Sequence, residues 1–203
     1  MTTDEGLEGS GEAVGFRAVE SARLAIDTLI ARLCIGQDGT LIRPLMLAIQ
    51  KNLQIFGRGG ALACGMSAVD IALWDIAGKP ANAPVCRLLG GGATDMACYA
   101  SLVRYSGPSR VGAGLAELRH TTGIPIAAGE NVSTPMEFER LLAMQGVNFV
   151  QPSPAKTGGI SGLCDVFPIV TIHNVPVMPH SFTTARVCLP RSVRPPRREL
   201  SIR

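Results

Sequence analysis

Several absences narrow this sequence before any motif is read. It has no run of the roughly 18 uninterrupted apolar residues that a bilayer-spanning helix requires, although 46% of its 203 residues are apolar and its mean hydropathy is +0.25. The opening MTTDEGLEGSGE has neither the basic region nor the apolar region of a secretory signal. No membrane partner is expected, and the expected location is cytoplasmic. None of the six cysteines stands in a CxxC pair and most sit inside apolar runs, so they are expected to be buried, reduced thiols rather than a disulfide framework or a metal site. Lysine is scarce: only Lys51, Lys79 and Lys156 occur.

Positive charge is missing from the body of the chain despite a formal net charge of +3. Residues 186–203 hold six arginines and one glutamate, which leaves 13 basic against 15 acidic residues elsewhere. That tail has three prolines and no aromatic residue on which a base could stack, so it is expected to be a disordered extension and no nucleic-acid partner is expected.

The spacing of Phe16, Val19, Ala22, Ile26, Leu29, Ile30 and Leu33 predicts an amphipathic helix. A second helix is expected over Thr40–Phe56. In CGMSAVDIALWDIAGKP, Ser67 is the expected N-cap of a buried helix that Gly78 and Pro80 stop. Asp70 and Asp75 interrupt it, as exposed residues or partners of nearby cations.

Beyond Gly90–Gly92 the pattern changes. The β-branched runs 124–128, 147–151 and 175–178 are separated by helix-length segments, the order of a βαβαβ unit. Thr134, Pro135 and Glu137 form the entry signal of the first intervening helix, a capping box. The second, from about Gly159 to His173, contains Pro168, which should kink or divide it. Parallel strands joined by right-handed crossovers place their C-terminal ends on one rim, where folds of this class keep their active sites. Glu130, Ser153 with Lys156, and His180 follow those ends, so a carboxylate, an ammonium and an imidazole converge by topology.

Each candidate also has a plainer reading. Glu130 suits a hard cation such as Mg2+ but is equally a solvated loop residue, because one carboxylate seldom holds that ion. His180 is a candidate acid or base or a structural histidine. Lys156 is a candidate to neutralise an anionic substrate or a surface charge. Gly158-Gly159 suits an anion cradle or a tight turn. His120 and His173 fall on predicted helices and are expected outside the chemistry.

Two blocks carry a family resemblance. SAVDIALWDIAGKPANAPVCRLLGG (67–91), and GIPIAAGENVSTPMEFERLLAMQGVNFVQPSPAKTGGISG (123–162) continuing to NVPVMPHSF (174–182), are similar to the mandelate racemase/muconate lactonising branch of the enolase superfamily. The resemblance implies an α/β fold: a partial (β/α) TIM-type barrel over 93–185, preceded by an α+β capping domain over 1–92 and followed by the tail at 186–203. It implies a Mg2+-dependent lyase or isomerase of sugar-acid dehydratase, cycloisomerase or racemase type, abstracting a proton α to a carboxylate. Glu130 then matches the third metal carboxylate, His180 the histidine acid/base, and Lys156 the KxGG lysine. Ser153 stands on the substrate side, where racemase-like members carry the aspartate partner of the histidine. A homo-oligomer is compatible with this family.

The departures matter as much. No lysine lies in the Lys-x-Lys or Lys-x-His base motif of the second barrel strand, and the first two metal carboxylates have no counterpart. YASLVRYSGPSR (99–110) resembles the first barrel strand, yet GLAELRHTTGIPIAAGEN follows almost at once, as if about 100 residues of a barrel of roughly 250 were missing near Val111–Gly114. The first cap strands look clipped, and the arginine- and proline-rich tail resembles a translated frameshift. The chain is therefore expected to be inactive, with Mg2+ weak or absent. A non-catalytic fragment or interaction module is the alternative.

Overall fold

A computed structural model describes residues 1–14, 19–92 and 111–180. Helix α1 (Val19–Ala25), a π-helical turn (Ile26–Ile30) and α2 (Ala31–Cys34) run on without a break. They are followed by α3 (Ile42–Asn52), α4 (Gly60–Gly78), the short α5 (Val85–Leu88), α6 (Val111–Thr122), β1 (Ala127–Ala128), α7 (Pro135–Ala143), β2 (Phe149–Val150) and α8 (Gly159–Ile172). An antiparallel bridge between Thr2 and Glu8 adds the β part of the cap. The segments 99–110 and 186–203, and Cys98 and Cys188, lie outside the described residues.

The first expected helix is present from Val19 onward, but with a π turn in its middle. The Thr28 hydroxyl donates to the Leu24 carbonyl at 2.6 Å in that stretch, a local bond that competes with the regular ladder. The second expected helix is α3 plus a single 3-10 turn at Gln54–Phe56. Ser67 is not an N-cap. Helix α4 begins earlier, at Gly60, and the Ser67 hydroxyl donates back to the Ala63 carbonyl at 2.8 Å. Ala61 and Ala63 favour continuation upstream, and the hydroxyl is satisfied inside the helix. The stop at Gly78 is where the sequence places it.

With 19 residues, α4 is long and apolar enough to cross a membrane, but 67% of its apolar window is buried in the protein's own packing. It is the central core helix. Leu62, Met66, Val69 and Leu73 face Ile30, Ile42, Leu45, Met46 and Ile49 in a first core. Each such fully buried side chain contributes about 1.5–3 kcal/mol relative to exposure. A second core holds Phe138, Leu142, Val147, Val150, Val166 and Val170, between α7, α8 and the strands. Helices α4 and α8 pack directly against each other and join the two cores.

The strands are parallel, with Ala127 opposite Phe149, Ala128 opposite Val150, and Val150 bridging to Val177. They are shorter than the sequence suggests. Pro152, Pro154, Pro176 and Pro179 have no N–H to give a ladder, and the Asn148 side chain, not a strand, accepts the Ile126 N–H at 2.9 Å. Helix α7 has the expected capping box: the Thr134 hydroxyl accepts from the Glu137 N–H, and Glu137 accepts from the Thr134 N–H. Pro168 does not divide α8, which stays a single helix. Pro168 lies on its exposed side, where a freed carbonyl can be solvated, while Val166 and Val170 anchor the opposite face.

Cys34, Cys64, Cys86 and Cys164 are free thiols, as expected, but none is fully buried and Cys86 is exposed on α5. Partial burial raises the pKa of Cys34, Cys64 and Cys164, which keeps them as thiols.

Candidate functional site at the strand ends

The parallel register brings Glu130, Lys156 and His180 to one rim. Glu130 follows β1 through Gly129, whose φ is +124°. A Cβ there would lie 3.2 Å from the Gln151 nitrogen and from Phe138 Cε1, so this turn needs glycine on both counts. His180 is carried by the third strand segment. The Met178 N–H donates to the Val150 carbonyl at 2.8 Å and the His180 N–H to the Pro152 carbonyl at 2.9 Å.

There the His180 imidazole Nδ1 stands 3.1 Å from Glu130 Oε2. On the other side the Lys156 ammonium donates to Asn131 Oδ1 at 2.7 Å, and the Asn131 amide lies 3.5 Å from Glu130 Oε1, at the outer limit of a hydrogen bond. The four side chains form one chain, Lys156 to Asn131 to Glu130 to His180. Asn131, which the sequence did not single out, links the two charges; its only signal was its place beside Glu130. Ser153 is buried, and its carbonyl accepts the N–H groups of Lys156 and Thr157, both at 2.9 Å. It forms the floor of the turn that presents Lys156.

Burial pushes the His180 pKa below its ordinary value; the Glu130 carboxylate opposes this and the Lys156 ammonium adds to it. A histidine with a depressed folded pKa takes up its proton more readily when unfolded. Its stabilising contribution is complete above the unfolded value near 6.5 and declines as pH falls from there through the folded value. Melting temperatures of His180→Gln and of the parent between pH 8 and pH 5 are expected to converge on acidification. A difference independent of pH would contradict this.

A second layer lies beneath the rim. Asp70, expected to be exposed or ion-paired, is fully buried, with Oδ1 accepting the Ser161 N–H at 3.0 Å and no hydrogen-bond partner on Oδ2. Desolvation raises its pKa against the opposing pull of the Ser161 hydroxyl and of the Ser161 and Ile160 N–H groups. Asp75 does pair with a cation, Lys79, at 3.0 Å, and also accepts the Ser10 N–H. His173 pairs with Glu139 at 2.8 Å and His120 is exposed on α6. A cleft of about 80 Å³ between cap and barrel touches Thr157 and Gly158 but none of the rim side chains.

Whether this rim suits Mg2+ follows from its donors. Mg2+ requires near-octahedral oxygen ligation, with charge from more than one group or from substrate. Here one carboxylate is present, His180 and Asn131 engage its two oxygens, and Lys156 occupies the asparagine oxygen. Among the described residues no group of three or more His, Cys, Asp or Glu could hold a metal. The donor set that the described residues supply does not fit the ion.

Two family models match: the mandelate racemase / muconate lactonizing enzyme N-terminal domain over residues 1–90, and the enolase C-terminal domain-like model over 108–193. Arabinonate dehydratase of Saccharolobus solfataricus is 35% identical over 106 residues, 52% of this chain and 28% of that enzyme. D-galactonate dehydratase of Klebsiella pneumoniae is 39% identical over 120 residues, 59% of this chain and 31% of that enzyme. The chain thus spans about a third or less of these curated relatives in those matches. The D-galactonate dehydratase of Verminephrobacter eiseniae is 26% identical over 269 positions covering 89% of this chain and 70% of that enzyme. An alignment longer than the 203-residue chain itself spans a stretch of that enzyme with no counterpart here. Among solved structures, the 3,6-anhydro-D-galactonate cycloisomerase from Zobellia galactanivorans superposes with TM-score 0.80 at 22% identity, covering 89% of this chain and 73% of that one. L-talarate dehydratase from Polaromonas sp. JS666, complexed with Mg and L-glucarate, gives 0.78 at 18%, covering 92% and 72%. These two likenesses establish the fold: a partial barrel of TIM type behind a cap.

Proposed function

Because this chain belongs to the mandelate racemase/muconate lactonizing enzyme family of the enolase superfamily, we propose that it derives from a Mg2+-dependent lyase or isomerase acting on a sugar acid, and that the chain itself no longer turns over substrate. The substrate class is that of its relatives, which dehydrate arabinonate and galactonate. In this reading Glu130 is the surviving metal carboxylate, His180 and Lys156 are the surviving acid/base groups, and Ser153 supports the substrate side. The cap occupies 1–92, the partial barrel 93–185 and the tail 186–203, in a cytoplasmic protein.

The observation that carries the proposal is the chain of contacts at the rim that runs through a single carboxylate. Glu130 is paired with His180, and among the described residues no further carboxylate joins it to supply the second and third charges that Mg2+ needs. When bound in the ancestor, the ion would supply stabilisation of the enediolate formed on proton removal. In this chain Lys156 and His180 can still hold an anionic carboxylate, and His180 can exchange a proton with Glu130 across 3.1 Å. Loss of the second-strand base alone removes about 100-fold to 10,000-fold of rate.

Calorimetric titration with Mg2+, a thermal melt with and without the ion, and an assay for a keto product from galactonate test this together. No saturable Mg2+ heat, no shift in melting temperature and no product are expected. Saturable binding with a raised melting temperature and product formation would show that other carboxylates complete the site.

A second reading, a non-catalytic module that pairs with another copy of itself, draws on Ile35, Ile55 and Phe56, which are 77%, 85% and 61% exposed on the cap. Sedimentation would separate the two, since a monomer at every concentration excludes the module.

A further inference from the structure

Helix α8 starts without a cap of its own. Its N-cap residue is Gly158, which has no side chain to accept the first-turn N–H groups. The acceptors come from α4, 91 residues away in sequence. Ser67 Oγ accepts the Gly158 N–H at 3.0 Å and Asp70 Oδ1 accepts the Ser161 N–H at 3.0 Å. The Trp74 indole N–H donates to Ser161 Oγ at 3.1 Å. Ser67, Asp70 and Trp74 follow one another at helical spacing along one face of α4. Gly159 admits the carboxylate, for a Cβ there would lie 2.2 Å from Asp70 Oδ1.

The two residues ahead of this grip are Lys156 and Thr157. Their side chains tie the turn to the loop after β1, Lys156 through Asn131 at 2.7 Å and Thr157 through the Val132 carbonyl at 3.3 Å. A buried carboxylate in the middle of an apolar helix is tolerated only when its polar atoms have work in the fold. Here that work lies at the helix start that follows Lys156 in the chain.

We propose that Asp70, with Ser67 and Trp74 beside it, is a positioning residue for Lys156, so that the cap helix sets the geometry of the rim by gripping the 156–161 turn. The significance for the rim rests on the reading of Lys156, Glu130 and His180 as a sugar-acid site. The grip itself does not.

The test uses the full chain and its three lysines, whose acylation by an amine reagent peptide mapping can follow one by one, with exposed Lys51 as the internal reference. In the parent, Lys156 is expected to react about tenfold more slowly than Lys51, because its charged hydrogen bond to Asn131 must open first. Asn131→Ala and Asp70→Ala should each reduce that protection at least about threefold, whereas Asp70→Asn, which keeps the acceptor oxygen, should retain it. Ser67→Ala removes one hydrogen bond and leaves the helix intact, so it is expected to give about a threefold rise even if Asp70→Ala does not fold. Unchanged Lys156 protection in folded Asp70→Ala, or in Ser67→Ala, would overturn the proposal, as would a parent Lys156 that reacts as fast as Lys51. Galactonate added to the parent separates the two readings. Failure to protect Lys156 counts against the sugar-acid site alone, and the variant pattern stands or falls independently.

Discussion

Phe138→Ala is expected to lower the unfolding free energy by about 3–5 kcal/mol, measured as a reduced denaturant midpoint with an unchanged slope. Phe138 is wholly inaccessible and lies at the centre of the second core, with Leu142, Val150 and Val166 packed around it. Its ring edge also supports the Gly129 turn, where a Cβ would come within 3.2 Å of Cε1. The loss should therefore reach the site, loosening the loop that presents Glu130 and Asn131 and speeding exchange of the Val132 amide, which donates to the Gly129 carbonyl at 3.0 Å. For a domain whose whole stability is about 5–15 kcal/mol, a loss of this size leaves a measurable unfolded fraction. A shift below about 1 kcal/mol would mean that the core does not pack as described.

Gly159→Ala should cost on the order of 2–5 kcal/mol, from two sources that can be separated. Its φ of +80° lies in the left-handed region, worth about 1–2 kcal/mol against a side chain. The new Cβ would also fall 2.2 Å from Asp70 Oδ1, so the carboxylate must move and the Ser161 N–H loses its acceptor. Gly158→Ala supplies the control. Its φ is +86° but its nearest contact would be 3.8 Å away, so only the backbone part, about 1–2 kcal/mol, is expected there. In an Asp70→Gly background, which removes the Cβ that would lie 2.5 Å away as well as the carboxylate, the cost of Gly159→Ala should fall to that same level, whereas Asp70→Ala should relieve it only in part. Equal costs at both glycines in the parent would contradict the close approach of α4 to α8.

The clearest signals in the sequence were local. The capping box at Thr134 and Glu137, the stop at Gly78 and the βαβ order with parallel pairing each follow from short-range chemistry, and each is present. The prediction failed where a local pattern met packing. Ser67 looks like a helix start because serine favours caps, yet Ala61 and Ala63 upstream extend the helix past it. Asp70 looks like a surface charge because carboxylates resist burial, yet the N-terminus of α8 compensates part of that cost. A charge within an unbroken apolar run was the available clue.

The sequence by itself determined the family, the parallel strand order and the arrival of Glu130, Lys156 and His180 at one rim, because period-two strands and short crossovers leave few topologies open. Only the tertiary structure decided what those residues do to one another. The contact of His180 with Glu130, the bridge through Asn131 and the grip of Asp70 on the start of α8 join segments far apart in the chain. The first two depend on how the loops after the parallel strands settle against one another and the third on how α4 packs across α8, and neither periodicity nor spacing encodes either.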